Sequence, residues 1–249
     1  MNLVFNEADH TDEINGILVP GCTTITGLLP KEWMGPWVAK ETCAFIEKGL
    51  KEIYEREEML SLDYALDIVK KGKGAWRRKA DKAAESGTTA HAYLESYIKD
   101  KMGLELLTPD LPADPLARNA IELFFRWELE NQVKWLHSEV VVGSERFMFG
   151  GKFDAIAAVN GLVTLIDFKT SSGIHKEYYY QLAGYQSAYE EMKKEPAIAQ
   201  RMVLWIPKTG ADFEARIVPT PYEQDRRVFL NALALYKSLK ESERTLEVV

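Results

Sequence analysis

The sequence predicts a mixed α/β fold, in which a central mixed β-sheet is flanked by helices and entered through a mostly helical N-terminal extension. Three observations predict it. Apolar residues recur at helical spacing through most of residues 37–133, whereas from Glu139 onward the period becomes two. Asn160–Gly161 stands between two apolar runs, the strongest short-range hairpin signal. A strand, a helix and a strand then follow in succession between Leu162 and Ile206, and such a crossover makes the two strands parallel neighbours in one sheet. At 249 residues, without repeats, low-complexity tracts or a Pro/Gly/Ser linker, the chain reads as one domain. Residues 1–85 form the extension, and 86–249 the core, with a helical excursion near 100–136.

The elements follow in order. A β-prone, turn-rich opening ends at "PGCTTITGLLPKEWMGP". Trp37 to Met59 and Asp63 to Lys71 are helical, and Gly72 and Gly74 break the pattern. A helix opening at Ser86–Gly87 carries Ala90, Leu94, Tyr97 and Ile98 on one stripe. A connection with Pro109, Pro112 and Pro115 leads to a helix from Leu116 to about Val133. Glu139 to Val142 and Arg146 to Phe149 read as strands around a turn at Gly143–Ser144. Lys152 to Val159 and Leu162 to Lys169 form the Asn160–Gly161 hairpin. Tyr178 to Lys193 is helical, Met202 to Ile206 is an apolar strand, and Phe213 to Val218 is an outer one. Glu223 to Lys240 closes as an amphipathic helix with Val228, Ala232, Leu235 and Leu239 on its apolar stripe.

Composition narrows the classes. With 46% hydrophobic and 28% charged residues, the chain has soluble globular composition. No run approaches the roughly 18 apolar residues of a membrane span, and "MNLVFNEADHTDE" does not read as a secretory signal. Two cysteines, Cys22 and Cys43, cannot hold a four-cysteine iron–sulfur or zinc site; they read as buried thiols in a reducing cytoplasm. A net charge of −7 argues against coating nucleic acid by bulk attraction. It leaves room for a local track: Lys70 to Lys82, "KKGKGAWRRKADK", includes Lys73, Trp76, Arg77 and Arg78. Cations for phosphates and an aromatic for bases are what a single-strand groove needs. The same run also reads as a solvated helix end with Trp76 turned to the core.

The hairpin raises the sharpest question. A two-residue turn at Asn160–Gly161 sets Val159 against Leu162, Asp154 against Asp167 and Lys152 against Lys169. Ile156, Ala158, Val163 and Leu165 share the face of the two aspartates, and Phe153, Ala155, Ile166 and Phe168 form the other. Both faces read as buried. Opposed Cβ atoms lie about 4.5–5.5 Å apart, where like charges repel. Two carboxylates so placed share a proton or share a cation. Oxygen ligands without cysteine favour Mg²⁺ or Mn²⁺ over zinc. The alternative is a solvent-lapped sheet end with casual charges.

These residues carry a resemblance. Gly151-x-x-Asp154, then "DFKT" at Asp167–Thr170, then Gln181-x-x-x-Tyr185, preceded by "GTTAH" ending at His91, resemble the PD-(D/E)XK nucleases. The similarity is to the RecB-like branch, which includes phage exonucleases and CRISPR-adaptation nucleases. It covers Ser86 to about Ile206; residues 1–85 are similar to phage members only through "TTITGLLPK" and Trp37. The resemblance implies a restriction-endonuclease-like core and a metal-dependent deoxyribonuclease, an exonuclease of phage-type recombination or DNA processing. It implies Asp154, Asp167 and Lys169 as catalytic, with His91, Asp154, Asp167 and the Phe168 carbonyl around Mg²⁺ or Mn²⁺. Gln181 and Tyr185 would contact the DNA backbone, while Glu95 and Glu139 would stand behind the ligands. The iron–sulfur cysteines of some relatives are missing, so no cluster is expected. DNA is the implied partner, with a single-strand annealing protein as companion, in the cytoplasm of a bacterial or phage-infected cell. The alternatives are a non-catalytic DNA-end or protein-binding module on the same fold, and a two-carboxylate glycosidase, which has no need of Lys169.

Overall fold

The computed structural model describes residues 1–8, 10–56, 59–104, 109–171, 173–206 and 213–247, with the backbone alone at 79–88, 116 and 246–247. The chain divides into two compact units, Met1–Leu29 with Ser86–Val249, and Pro30–Glu85. None of the described helices is long and apolar enough to cross a membrane.

The first unit opens with an antiparallel sheet of β1 (Leu3–Asn6), β2 (Thr11–Ile14) and β3 (Ile17–Val19), followed by the short α1 (Cys22–Thr26). The second unit contains α2 (Met34–Glu55), α3 (Leu62–Gly72) and the start of α4 (Ala75–Lys101). Ser61 caps α3 by accepting the Tyr64 N–H. Within this unit Ile53 and Ile68 are buried, whereas Cys43 of α2 is exposed, against the expectation of a buried thiol. The helix expected to open at Ser86 instead begins at Ala75. Residues 75–85, "AWRRKADKAAE", are rich in strong helix formers, and one interior glycine costs only about 1 kcal/mol.

After α4 come α5 (Pro115–Glu130), β4 (Lys134–Ser144), β5 (Phe149–Val159), β6 (Leu162–Lys169), α6 (Lys176–Glu191), β7 (Gln200–Trp205), β8 (Glu214–Ile217) and α7 (Tyr222–Glu247). The five strands pair in chain order; β6 and β7 are parallel and every other pair is antiparallel. This is the mixed sheet with helices on both faces that the sequence predicts, including the parallel crossover pair. The Asn160–Gly161 turn has both residues at positive φ, 49° and 83°, as a type I′ hairpin requires, and Val159 faces Leu162 as expected. The other hairpin differs from expectation. Strand β4 runs through Gly143–Ser144, and the turn falls at residues 145–148. Ser144 opens that turn rather than lying at its tip: its hydroxyl accepts the Phe147 N–H at 2.9 Å and donates to Glu191 at 2.5 Å.

Two cores sandwich the sheet. On one face, Phe153, Ile156, Leu165 and Val203 pack with α1, α6 and α7; on the other, Ala155, Ala157, Ile166, Phe168, Met202 and Leu204 pack with α4 and α5. Helix α6 is buried continuously from Tyr179 to Tyr189 except for Tyr180, as suits a helix enclosed on nearly every side. Of the expected α7 stripe Ala232 is buried and Val228 half-buried, but Leu235 and Leu239 are exposed; the buried stripe is Phe229, Ala232 and Leu233. Gly184 of α6 decides this. A Cβ there would lie 2.6 Å from the Phe229 ring, so the missing side chain is the notch that seats Phe229. Burying such a ring contributes about 1.5–3 kcal/mol.

One buried ion pair ties this layer together. Arg201 of β7 donates to Asp225 of α7 at 2.9 Å, to the Tyr179 carbonyl at 3.2 Å and to the Thr220 carbonyl at 3.0 Å. The Thr220 hydroxyl donates to the same Asp225 oxygen at 2.6 Å.

Candidate metal centre

The β5–β6 ladder runs from Val159↔Leu162 to Ala155↔Ile166 and stops. Beyond it, the strands no longer bond to each other: the Phe168 N–H donates to the Asp154 carboxylate instead. An acidic side chain therefore occupies the place of the next ladder bond. The face assignment shifts at the same point. Phe153, expected beside Ala155, packs instead on Tyr185 and Tyr189, with ring centroids 5.6 and 6.3 Å away. The irregularity lies across from Glu139, the residue of β4 between the pairs Ser138↔Ala155 and Val140↔Phe153, which has φ 52°. A left-handed glutamate inside a strand is a strained backbone, and such strain gathers at functional sites.

Helix α4 supplies the third group. Its buried stripe of Ala90, Leu94 and Ile98 faces the sheet, which turns His91 toward the opened end of the hairpin. There the His91 Nε2 lies 3.0 Å from Asp154 Oδ1, and the ring packs edge-on against Phe168 at 5.6 Å. His91, Glu139 and Asp154 each offer one ligand atom, and these atoms all lie within 4.8 Å of one another. An imidazole and two carboxylates, without thiolate, are donors for a divalent ion such as Mg²⁺, Mn²⁺ or Zn²⁺, and the oxygen-rich set favours the harder ones. The nearby thiol does not compete: burial, with Asp12 and Asp167 adding to it, pushes Cys22 far up and keeps it protonated.

Asp167 lies on the other side of this group. It pairs with Lys169, two residues along β6, and Lys169 sits 5.1 Å over the Tyr178 ring. The charges set one another. Burial raises Asp167 to about 6; Lys169 holds it down and Asp154 pushes it up. Burial also opposes ionisation of Asp154, yet His91, Lys169 and the Phe168 amide hold its carboxyl below the usual range. Burial lowers His91, but Asp154 overrides it and raises the imidazole to about 9. Burial raises Glu139 against the pull of Lys152, which lies 2.5 Å away and also reaches Glu7 at 3.0 Å.

The structure thus brings together His91, Glu139 and Asp154, with Asp167 and Lys169 alongside. The sequence marked Glu139 only as a neighbour; the signal for more was its position across from Asp154. Lys152, Tyr178 and Thr23 were not marked. Phe168 enters through its N–H on Asp154. Glu95, one turn beyond His91, pairs with Lys99 at 2.6 Å. Gln181 and Tyr185 are buried: the Gln181 amide donates to the Thr23 hydroxyl at 2.6 Å and to the Tyr185 hydroxyl at 2.9 Å. The Tyr185 ring lies against Gly151, where a Cβ would come within 2.7 Å of it. Lys73, Trp76, Arg77 and Arg78 belong to the other unit, Pro30–Glu85.

The family model of the PD-(D/E)XK nuclease superfamily matches residues 61–245. A candidate exonuclease from Eubacterium rectale is similar in structure, with a TM-score of 0.37 and 15% identity over 58% of this chain and 63% of that one. The protein SSO0001 is similar with a TM-score of 0.28 and 12% identity over 47% of this chain and 57% of that one. The chain therefore spans less than two thirds of either structure. A search of curated proteins found no match. Nucleases of the matched superfamily use divalent metals, and the five-stranded mixed sheet with its helices fits their fold. By the family match across 61–245, the chain belongs to the PD-(D/E)XK nuclease superfamily.

Proposed function

We propose that this protein is a Mg²⁺- or Mn²⁺-dependent deoxyribonuclease that hydrolyses DNA phosphodiester bonds as an exonuclease. The observation that carries the reading is the meeting of His91, Glu139 and Asp154 within ligand distance of one another, beside the Asp167–Lys169 pair. A bound divalent ion supplies a Lewis acid for the phosphoryl oxygen and an activated water for in-line attack. His91, Asp154 and Glu139 would hold that ion, with Asp167 and the Phe168 carbonyl as further donors. Lys169 then leaves its pairing with Asp167 and places its ammonium where charge builds on the phosphoryl group. Tyr178, beneath that ammonium, restricts its reach. Gln181 and Tyr185, both buried, would contact the DNA backbone where DNA takes the place of the Gln181–Thr23 bond. Phage-type recombination with a single-strand annealing protein is the proposed setting, by resemblance.

The test compares linear with covalently closed DNA in Mg²⁺, Mn²⁺ and EDTA. Metal-dependent loss of linear DNA, with closed circles spared, supports an exonuclease. Cutting of closed circles makes the enzyme an endonuclease. If every DNA and RNA substrate survives with metal present, the enzymatic reading fails.

A further inference from the structure

We propose that the helical unit Pro30–Glu85 carries a binding platform for single-stranded DNA, built from Trp37 and Trp76 with Lys73, Arg77 and Arg78. The inference rests on the nuclease reading for the choice of DNA, and on the following geometry for the rest.

The Trp76 ring stands edge-to-face on Trp37 at 6.2 Å and 78°, and Trp37 in turn on Trp33 at 6.3 Å and 62°. All three rings are only half-buried. A packing role accounts for the edges in contact with each other, but it leaves the open part of each ring unexplained. The cations are placed beside these rings. The Arg77 guanidinium lies 5.2 Å over Trp76, and that of Arg78 lies 5.1 Å over Phe45 and donates to the Lys71 carbonyl at 2.8 Å. These contacts fix two otherwise floppy side chains next to the aromatic row.

The charge pattern points the same way. From Lys70 to Arg78 there are five exposed cations and no acid, in a chain whose net charge is −7. Lys71 is paired with Asp67 at 2.6 Å. Among the described residues, Lys70, Lys73, Arg77 and Arg78 form no ion pair with a carboxylate. Repulsion within such a cluster costs stability unless phosphates enter it. Half-buried indoles flanked by cations fit a strand with unpaired bases, since base stacking on a side chain requires a base free of its duplex partner. A duplex would engage the cations and leave the rings unused. The platform is a positively charged track with aromatic steps, the arrangement single-strand binders use without sequence preference.

The experiment uses the full chain in EDTA, so that binding is read without cleavage, and titrates three probes: a dT 20-mer, an abasic 20-mer of equal charge, and a blunt duplex. Tryptophan fluorescence reports stacking and anisotropy reports affinity. The dT strand is expected to quench the fluorescence and to bind at least ~10-fold more tightly than the abasic strand, since each stacked base contributes about 1–3 kcal/mol. The Lys73→Ala/Arg77→Ala double variant, altered only at exposed positions, is expected to bind dT about 10-fold more weakly. Its log–log salt slope should shrink by about 1.4, two contacts at about 0.7 each. Equal affinity for dT and abasic strands, absence of quenching, or an unchanged salt slope overturns the platform. Preference for the duplex overturns it as well. Because no metal is present, the outcome is independent of cleavage: a chain that cuts DNA yet binds dT and abasic strands alike loses only the platform. One that binds as expected but cuts nothing loses only the nuclease reading.

Discussion

Two regions of this protein bury charge, and they do so differently. At Arg201–Asp225 one cation meets one anion, and the guanidinium spends its remaining donors on the carbonyls of Tyr179 and Thr220. The opened end of the β5–β6 hairpin gathers Glu139, Asp154 and Asp167 around Lys152, Lys169 and the titratable His91, with the exposed Glu7 reaching Lys152 from outside. In the first region the two charges pair directly, with both bonds to Asp225 on its Oδ2 and Oδ1 left without a hydrogen-bond partner among the described residues. In the second, Asp154 overrides burial and drives His91 up to about 9, while burial, with Asp154 adding to it and Lys169 opposing, raises Asp167 to about 6. Carboxyls of one cluster shifted in opposite directions, Asp154 down and Asp167 up, are what functional sites gather. Asp12 is a third case, a buried carboxylate with no cation beside it and with Oδ1 unpartnered among the described residues.

Four changes separate these cases. The largest effect is expected from Asp167→Asn: degradation of linear DNA in Mn²⁺ should fall by at least ~10³-fold. The melting temperature in EDTA at neutral pH should hold or rise, since burial opposes the Asp167 charge and Asn carries none. A fall in melting temperature like that of a core variant would instead mark Asp167 as structural. Arg201→Met should do the reverse. It strands Asp225 and costs about 3–5 kcal/mol in urea unfolding, while the activity of the folded fraction persists. Glu139→Gln is next: Mn²⁺ affinity by calorimetry should drop by about tenfold or more, and an unchanged isotherm would remove Glu139 from the metal group.

The smallest effect belongs to Asp12→Asn. Burial raises the Asp12 carboxyl to about 6 from an ordinary 3.8. Between those values the folded chain keeps a proton that the unfolded chain has lost, so the contribution of Asp12 to stability falls as pH rises from about 4 to 6 and stays low above. The variant should therefore gain about 1–2 kcal/mol over the parent at pH 8 and lose that advantage below pH 4. A gain equal at both pH values would show that ionisation is not the cause.

Much of the hairpin was legible because its signals are local. Asn160–Gly161 favours one turn type and the turn fixes the register as far as Ala155↔Ile166; the expected pairs Asp154–Asp167 and Lys152–Lys169 lie beyond the end of that ladder. The parallel β6–β7 pair followed from handedness alone. Helix boundaries were less legible: residues 75–85 are good helix formers, and the helix runs on through Gly87, since one interior glycine costs only about 1 kcal/mol. The stripe of α7 was legible at Ala232 alone, because Leu235 and Leu239 match the period as well as Phe229 does. Only the notch at Gly184, on a different helix, chooses between them.

The sequence by itself determined the mixed sheet, the hairpin register and the residue types that meet at its open end, since period, turn chemistry and crossover handedness act over a few residues. The tertiary structure decided which of those residues form one donor group. Placing Glu139 with His91 and Asp154 requires a left-handed residue in β4, the end of the β5–β6 ladder and the pitch of α4 against the sheet, all at once. It likewise decided that Gln181 and Tyr185 bond to Thr23 and to each other, because α1 packs on α6 across 158 residues of chain. Contacts of that span depend on packing, which no local pattern encodes.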